Sequence, residues 1–362
     1  MVIAHPSRRS LLRAAGIATL AFPAGAMAPR DFAPADPLAL DPSAICRTGT
    51  ASGVAAAAAP GPRRKLKLTF NANSICTVGV PVAARQGIFE RYNLDVELIN
   101  FGGSTDQLLE AIATGKADAG VGMALRWLKP LEQGFDVKIT TAIHGGCLRL
   151  FARQDGDVRS VADLRGKTVG VSDMAAPDKN FFSILAARQG IDPVRDITWR
   201  QFPADLLGEA LKRGDVQAIC LSDPLAWIVR ERDRLLEVAT NVSGEYAHRS
   251  CCILGVRGSL IRSDRAAARA LSTALIEAQD WVTANPDAAA AIFAPHARAP
   301  VEQLAAMLRS HTHHHHPTGQ PLRAELAAYI EELKLVKVMR PNTDPARLSE
   351  RIFADVLSGE AA

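Results

Sequence analysis

No run of this chain is long and apolar enough to cross a bilayer as a helical anchor; the apolar stretch Ala14 to Phe22 is too short. Excess charge of one sign is also missing. The first 28 residues hold three arginines and no acid, so removing them takes the formal +4 of the whole chain to +1. A nearly neutral body has no electrostatic case for nucleic acid. Six cysteines in 362 residues are too few for a disulfide scaffold, and their spacing does not reveal pairing. No nucleophile elbow, phosphate loop or zinc-protease helix occurs, so no catalytic constellation presents itself.

What is present begins with a leader. "SRRSLLRAAGIATLAFPAGAMA" carries Arg8, Arg9 and Arg13, then the apolar run, then the small-residue pattern Ala26-Met27-Ala28. Basic, apolar and small parts in that order make residues 1–28 an export signal headed by a twin-arginine pair. The mature chain is therefore expected in the periplasm, where disulfides are permitted. Residues 29–64, with "VAAAAAPGP", keep neither a 3.6 nor a 2.0 period and are expected to be an Ala/Pro-rich linker. At 48% hydrophobic and 22% charged, the rest has the composition of a soluble globular protein, long enough for two cores.

Patterned sequence starts at "KLKLTFN", and it repeats at an offset near 100. "KLTFNA" at 67 matches "KTVGVS" at 167, and "AARQGI" at 83 recurs letter for letter at 186. "VELINF" at 96 matches "ITWRQF" at 197, and "EAIATGKADAGV" at 110 matches "EALKRGDVQAIC" at 209. Each copy reads strand, loop, helix, strand, helix, strand, with a glycine (Gly115, Gly214) closing the last helix. That alternation predicts two α/β lobes, each a mostly parallel sheet flanked by helices. The β-rich segments 140–154 and 245–261 are expected to cross between them. Lobe one is then 65–150 with 251–362, and lobe two is 151–250.

"VAARQGIFERYNLDVELINFGGSTDQLLEAIATGKADAGV" (82–121), "VADLRGKTVGV" (161–171) and "LGEALKRGDVQAICLSDPLAW" (207–227) carry a family resemblance. The chain resembles the periplasmic substrate-binding proteins of ABC importers. It is most similar to the nitrate, sulfonate, taurine and bicarbonate branch, related to the pyrimidine-precursor group of thiamine metabolism. The resemblance implies the two-lobe periplasmic binding protein fold, capture of a small anionic or sulfonate-like solute by cleft closure, and delivery to an ABC permease and its ATPase. No enzymatic activity, no obligatory cofactor and a monomeric state are expected.

In open α/β sheets ligands sit beyond the carboxyl ends of the strands, which selects the loops that line a cleft. "NANSICTVGVP" supplies Ser74 and Cys76. "FGGSTDQ" supplies Ser104 and Thr105, with Ser104 and Gln107 spaced as a capping box and two glycines exposing N–H groups to an anion. "VGMALRW" and "CLSDPLAW" are matched loops giving Met123, Ser222 and Asp223, with Trp127 and Trp227 as candidate walls. "VSDMAAPDKN" gives Asp173. Ser104 as a plain helix cap, and either tryptophan as core, are the alternatives.

Thiols and imidazoles stand out. His144 and Cys147 lie on the first crossing segment, and His248, Cys251 and Cys252 on the second. His144, Cys147, Cys251 and Cys252 are expected either to contact the solute or to hold copper or zinc, which such groups suit; packing as small hydrophobes and a disulfide from Cys147 to one of the pair are the competing readings. "SHTHHHHPTG" adds His311, His313, His314, His315 and His316 after a helical pattern. Continued as a helix, it would put His311 and His315 on one face, although Pro317 argues against continuation. His313 to His316 are kept as candidate metal ligands beside a plain surface turn. Two further functions compete: a periplasmic metal-binding protein on the same fold, and a thiamine pyrimidine-precursor synthase-like enzyme. In the latter group a cysteine-rich motif helps hold iron, which Cys251-Cys252 echoes faintly.

Overall fold

A computed structural model describes residues 62–101, 105–297, 299–311 and 315–358, with only the backbone at 105 and 106. The expected export signal and nearly all of the expected linker lie outside these residues. In β1 (Arg64–Phe70), Leu66, Leu68 and Phe70 face inward while Lys65 and Lys67 stay exposed, the alternation of a strand at the edge of a core. The other strands are β2 (Leu94–Asn100), β3 (Ala119–Met123), β4 (Val137–His144), β5 (Leu148–Ala152), β6 (Thr168–Val171), β7 (Thr198–Gln201), β8 (Ala218–Ser222), β9 (Leu236–Thr240) and β10 (Cys252–Arg257).

They form two five-stranded sheets, ordered β2-β1-β3-β10-β4 and β7-β6-β8-β5-β9. The sequence repeat is a repeat of sheet. β1 lies parallel between β2 and β3, as β6 does between β7 and β8. The fourth strand of each sheet is antiparallel and is the segment newly arrived from the other lobe, β10 in the first sheet and β5 in the second. The fifth strand, β4 or β9, is the one about to leave. Gly115 and Gly214 close their helices at φ +77° and +78°, a conformation only glycine adopts without strain.

Each crossing segment is strand at its ends and leaves strand geometry at 145–147 and 241–251. The two crossings press together. A Cβ on Gly146 would stand 2.1 Å from the Asn241 carbonyl oxygen, so glycine is required there, and Asn241 Oδ1 accepts the Leu148 N–H at 2.7 Å.

After β10 the chain returns to the first sheet as helices. In Arg265–Ala284, Asp264 caps the start by accepting the Ala267 N–H at 2.9 Å. Ala267, Leu271, Ala274, Leu275, Ala278 and Val282 form its buried stripe. The helix Gly319–Leu335 packs on both Ala124–Glu132 and the lobe-two helix Pro177–Arg188. The tail then ties to β4, where the Ala354 N–H reaches the Ile139 carbonyl. One continuous apolar core takes residues from both sheets.

A candidate solute cleft and the buried floor beneath it

The loops at the carboxyl ends of β1, β3, β6, β7 and β8 face one cleft of 760 Å³. Lobe one contributes Asn71, Asn73, Ser74 and Met123; lobe two contributes Ser172, Asp173, Asp178, Gln201, Asp205 and Ser222 among others. Short polar side chains shape both entry loops. Asn71 Oδ1 accepts the Asn73 N–H at 2.9 Å, and Asp173 Oδ1 accepts the Ala175 N–H at 2.8 Å, turns that Asn and Asp favour. Pro177 then starts the helix Pro177–Arg188 at the position proline fits best.

The described lining holds three carboxylates and no lysine or arginine. Asp173 is bound by Arg126 of lobe one at 3.0 Å. Burial works to raise its pKa, but the Ala175 N–H and the Arg126 guanidinium together hold it below the usual value. Asp178 is buried and its pKa is pushed up to about 6 by desolvation. Its Oδ1 accepts the Lys179 N–H. Asp205 is exposed.

Of the expected ligand contacts, Ser74, Met123, Asp173 and Ser222 line this cleft. Ser104 lies outside the described residues, and Thr105 opens the helix Thr105–Ala113. Asn71, Asn73, Asp178, Gln201 and Asp205 were not singled out from the sequence, although all follow matched strands. Neither tryptophan is a wall. Trp127 is wholly buried, and a Cβ on Gly122 or Gly255 would collide with its ring, so glycines on β3 and β10 make room for it as core. Trp227 is half-buried under the Arg230 guanidinium, 4.2 Å from its ring centre.

Asp223 sits under the cleft rather than in it. Its side chain is fully buried between His311 Nε2 at 2.8 Å and the Arg149 fork, with Nε at 2.9 Å and Nη2 at 2.9 Å from Oδ2. Arg149 also reaches Glu237 at 2.6 Å. Burial alone would raise the Asp223 carboxyl, yet His311 and Arg149 hold it below the usual value. The His144 ring meets His311 edge-on with centroids 5.3 Å apart, and its Nδ1 donates to the Gly145 carbonyl at 3.0 Å.

The thiols expected on the crossings do gather, and Cys76 joins them. Sulfur separations are 2.8 Å for Cys76–Cys252, 3.9 Å for Cys76–Cys147 and 4.0 Å for Cys147–Cys251. Hydrogen bonds from Cys147 and Cys252 hold Cys251 low, at about 5, and Cys76 well below its ordinary value. Hydrogen bonds to its neighbours push Cys147 up, and burial pushes Cys252 up. His248 is exposed and takes no part. Among the described residues no three His, Cys, Asp or Glu side chains are placed to hold a metal ion.

The histidine stretch divides. The helix Val301–Ser310 ends at His311, whose φ of −85° and ψ of 155° are extended, so His311 and His315 share no helix face. His311 turns inward to Asp223. His315 Nε2 instead meets Glu325 Oε1 at 2.6 Å and is half-buried. His313 and His314 lie outside the described residues, and His316 is half-buried. The Pro317 carbonyl accepts the Ala142 N–H of β4 at 3.3 Å.

Two α/β lobes, crossed twice by the chain and closing their loops on one cleft, define the periplasmic binding protein fold. Within it the chain belongs to the NMT1-like family, whose model matches residues 59–295. Solved structures with this fold include the alkanesulfonate-binding protein SsuA from Xanthomonas axonopodis pv. citri bound to MOPS. It is 16% identical, with a TM-score of 0.68 over 80% of this chain and 98% of that one. The aliphatic sulphonate-binding protein SsuA from Escherichia coli is 17% identical, with a TM-score of 0.67 over 83% and 95%. The nitrate-binding protein NrtA from Synechocystis PCC 6803 is 14% identical, with a TM-score of 0.66 over 82% and 87%. The Escherichia coli and Synechocystis proteins are described as periplasmic. No curated protein matches the chain.

Proposed function

We propose that this protein is a periplasmic solute receptor that closes its two lobes on a small solute and delivers it to an ABC permease and its ATPase. The observation that carries this reading is the polar cleft built from matched loops of two duplicated sheets. The solute is a sulfonate or comparable acid that also bears a protonated amine. Hydroxyl and amide groups of Asn71, Ser74, Ser172, Gln201 and Ser222 supply hydrogen bonds to an acid group, while Asp178 and Asp205 face the same space and favour a cation. The sulfonate bound to the Xanthomonas neighbour supports the acid half.

Thermal unfolding of the full chain with simple alkanesulfonates, simple amines and amino-sulfonates tests this. A ligand at a hundred times its Kd contributes about 2.7 kcal/mol, which raises Tm by roughly 3–5 °C for a chain of this size. Amino-sulfonates are expected to give that shift together with a smaller radius of gyration in solution scattering. A shift from simple amines alone would discard the acid half, and no shift from any member would overturn the receptor reading.

A further inference from the structure

We propose that Cys76, Cys147, Cys251 and Cys252 form a thiol–disulfide relay beneath the cleft, entered at Cys251 and ending in a Cys76–Cys252 bond. Three separate stretches of chain bring these sulfurs into one row, the adjacent Cys251 and Cys252 sharing the third. Cys76 lies in the loop after β1, Cys147 in the first crossing, Cys251 at the end of the second and Cys252 at the head of β10. Successive contacts along the row run 4.0 Å from Cys251 to Cys147, 3.9 Å from Cys147 to Cys76 and 2.8 Å from Cys76 to Cys252. A disulfide needs about 2.05 Å, so the last pair closes with the least movement.

Exposure sets the direction. Cys251 keeps 6% of its surface, against 0% for Cys76 and Cys147 and 1% for Cys252, so an oxidant meets Cys251 first. The oxidant is a small-molecule disulfide. The Cys251 thiolate attacks one of its sulfurs, breaking the S–S bond and expelling one thiolate. Cys147 gives up its proton and attacks the Cys251 sulfur of that mixed disulfide, and the second half of the oxidant leaves as a thiolate. The Cys76 thiolate next attacks Cys147, releasing Cys251. Cys252 gives up its proton, attacks Cys76 and releases Cys147. In sum, Cys76 and Cys252 lose two protons and two electrons, and one oxidant disulfide becomes two thiols.

The position of this row links it to the cleft. The loop bearing Asn71 and Ser74 also bears Cys76, so a Cys76–Cys252 bond ties that cleft loop to β10. The Cys147 carbonyl accepts the Asp223 N–H at 2.9 Å, and the Cys251 carbonyl accepts the Ala124 N–H at 2.9 Å. Those two bonds join the row to the loops after β8 and β3. Cys220, buried on β8, serves as the internal reference.

The test exposes the full reduced chain to oxidised glutathione, then denatures, alkylates and maps it, with elemental analysis in parallel. Among the five described cysteines, two alkylatable thiols are expected to disappear, at Cys76 and Cys252, while Cys220 stays labelled. Cys251→Ser removes the entry thiol, and oxidation of Cys76 should slow by at least about tenfold. Cys252→Ser should stop the relay at a Cys76–Cys147 link; if that variant does not fold, the map of the unaltered chain and the Cys251→Ser rate still decide. The proposal fails if Cys76 and Cys252 stay alkylatable, or if Cys251→Ser is oxidised as fast as the unaltered chain. One metal ion per chain, protecting the four thiols, would also overturn it.

Discussion

His311 Nε2 lies 2.8 Å from Asp223 Oδ2 with both side chains fully buried. His311 ends a helix that returns to the first lobe, and Asp223 follows β8 of the second, so the contact is made across the lobes. Arg149, on β5, reaches both oxygens of the same carboxylate. An imidazole, a carboxylate and a guanidinium removed together from water stand only because each satisfies another.

Asp223→Ala should therefore cost about 3–5 kcal/mol of unfolding free energy, the usual penalty for leaving buried partners uncompensated. The folded Asp223 carboxyl is held below its unfolded value. Its stabilisation is thus present above the unfolded pKa, near 4, and is lost as pH falls below it. Urea unfolding from pH 7 to pH 3 checks both points. Asp223→Asn should show a shallower acid limb than the unaltered chain, and equal limbs would remove Asp223 as a cause of acid sensitivity.

Asp178 has the opposite sign. Its folded pKa, raised to about 6 by burial, favours the fold below the unfolded pKa and loses that benefit as pH rises through 6. Asp178→Asn should gain about 2–3 kcal/mol near pH 7 and little at pH 4. The same substitution removes one of the carboxylates that line the cleft, so solute affinity should fall while stability rises. Thermal melts at the two pH values, with and without solute, separate the effects; a loss of stability at pH 7 would contradict the burial argument.

The parallel parts of both sheets were legible because their strands recur in order with the same capping glycine. The strands that swap lobes were foreseen only as crossing segments. Their exact places, β10 between β3 and β4 and β5 between β8 and β9, follow from long-range pairing that no local pattern encodes. Loops after matched strands pointed to Ser74, Met123, Asp173 and Ser222, and the structure places these four in the lining of the cleft. Asp223 follows the same strand as Ser222 but points below the cleft to Arg149. Arg149 itself carried an overlooked signal, a lone charge inside the apolar strand LRLFA, which demands a buried partner. In the histidine stretch, Pro317 argued against a continued helix, and the helix does end at His311; that His311 would turn inward to Asp223 is a long-range contact that spacing does not encode.

Glu332 makes another tie between the lobes. Its Oε1 accepts from Arg188 at 2.6 Å, Arg249 at 2.8 Å and the Tyr246 hydroxyl at 3.1 Å. Arg249 also stacks on Tyr246 and Tyr329, so it cannot turn to water without losing those rings. Glu332→Ala should cost about 2 kcal/mol and speed proteolysis within 241–251, next to Tyr246 and Arg249. Unchanged cleavage there would show that the tie does not restrain the second crossing.

Two histidines of one stretch should behave differently when each is replaced by alanine. His311 is sealed against Asp223 and His144, and its loss leaves a buried carboxylate short of a partner, a cost of about 2–4 kcal/mol. His315 meets Glu325 where 27% of its side chain is open, and partly exposed contacts of that kind contribute about 0–1 kcal/mol. Urea unfolding of His311→Ala and His315→Ala under the same conditions gives the comparison. Equal and small losses would mean that the buried contact is no stronger than the surface one. A large loss for His311 alone places the structural weight of the stretch on its first histidine, the one that leaves the helix and turns inward.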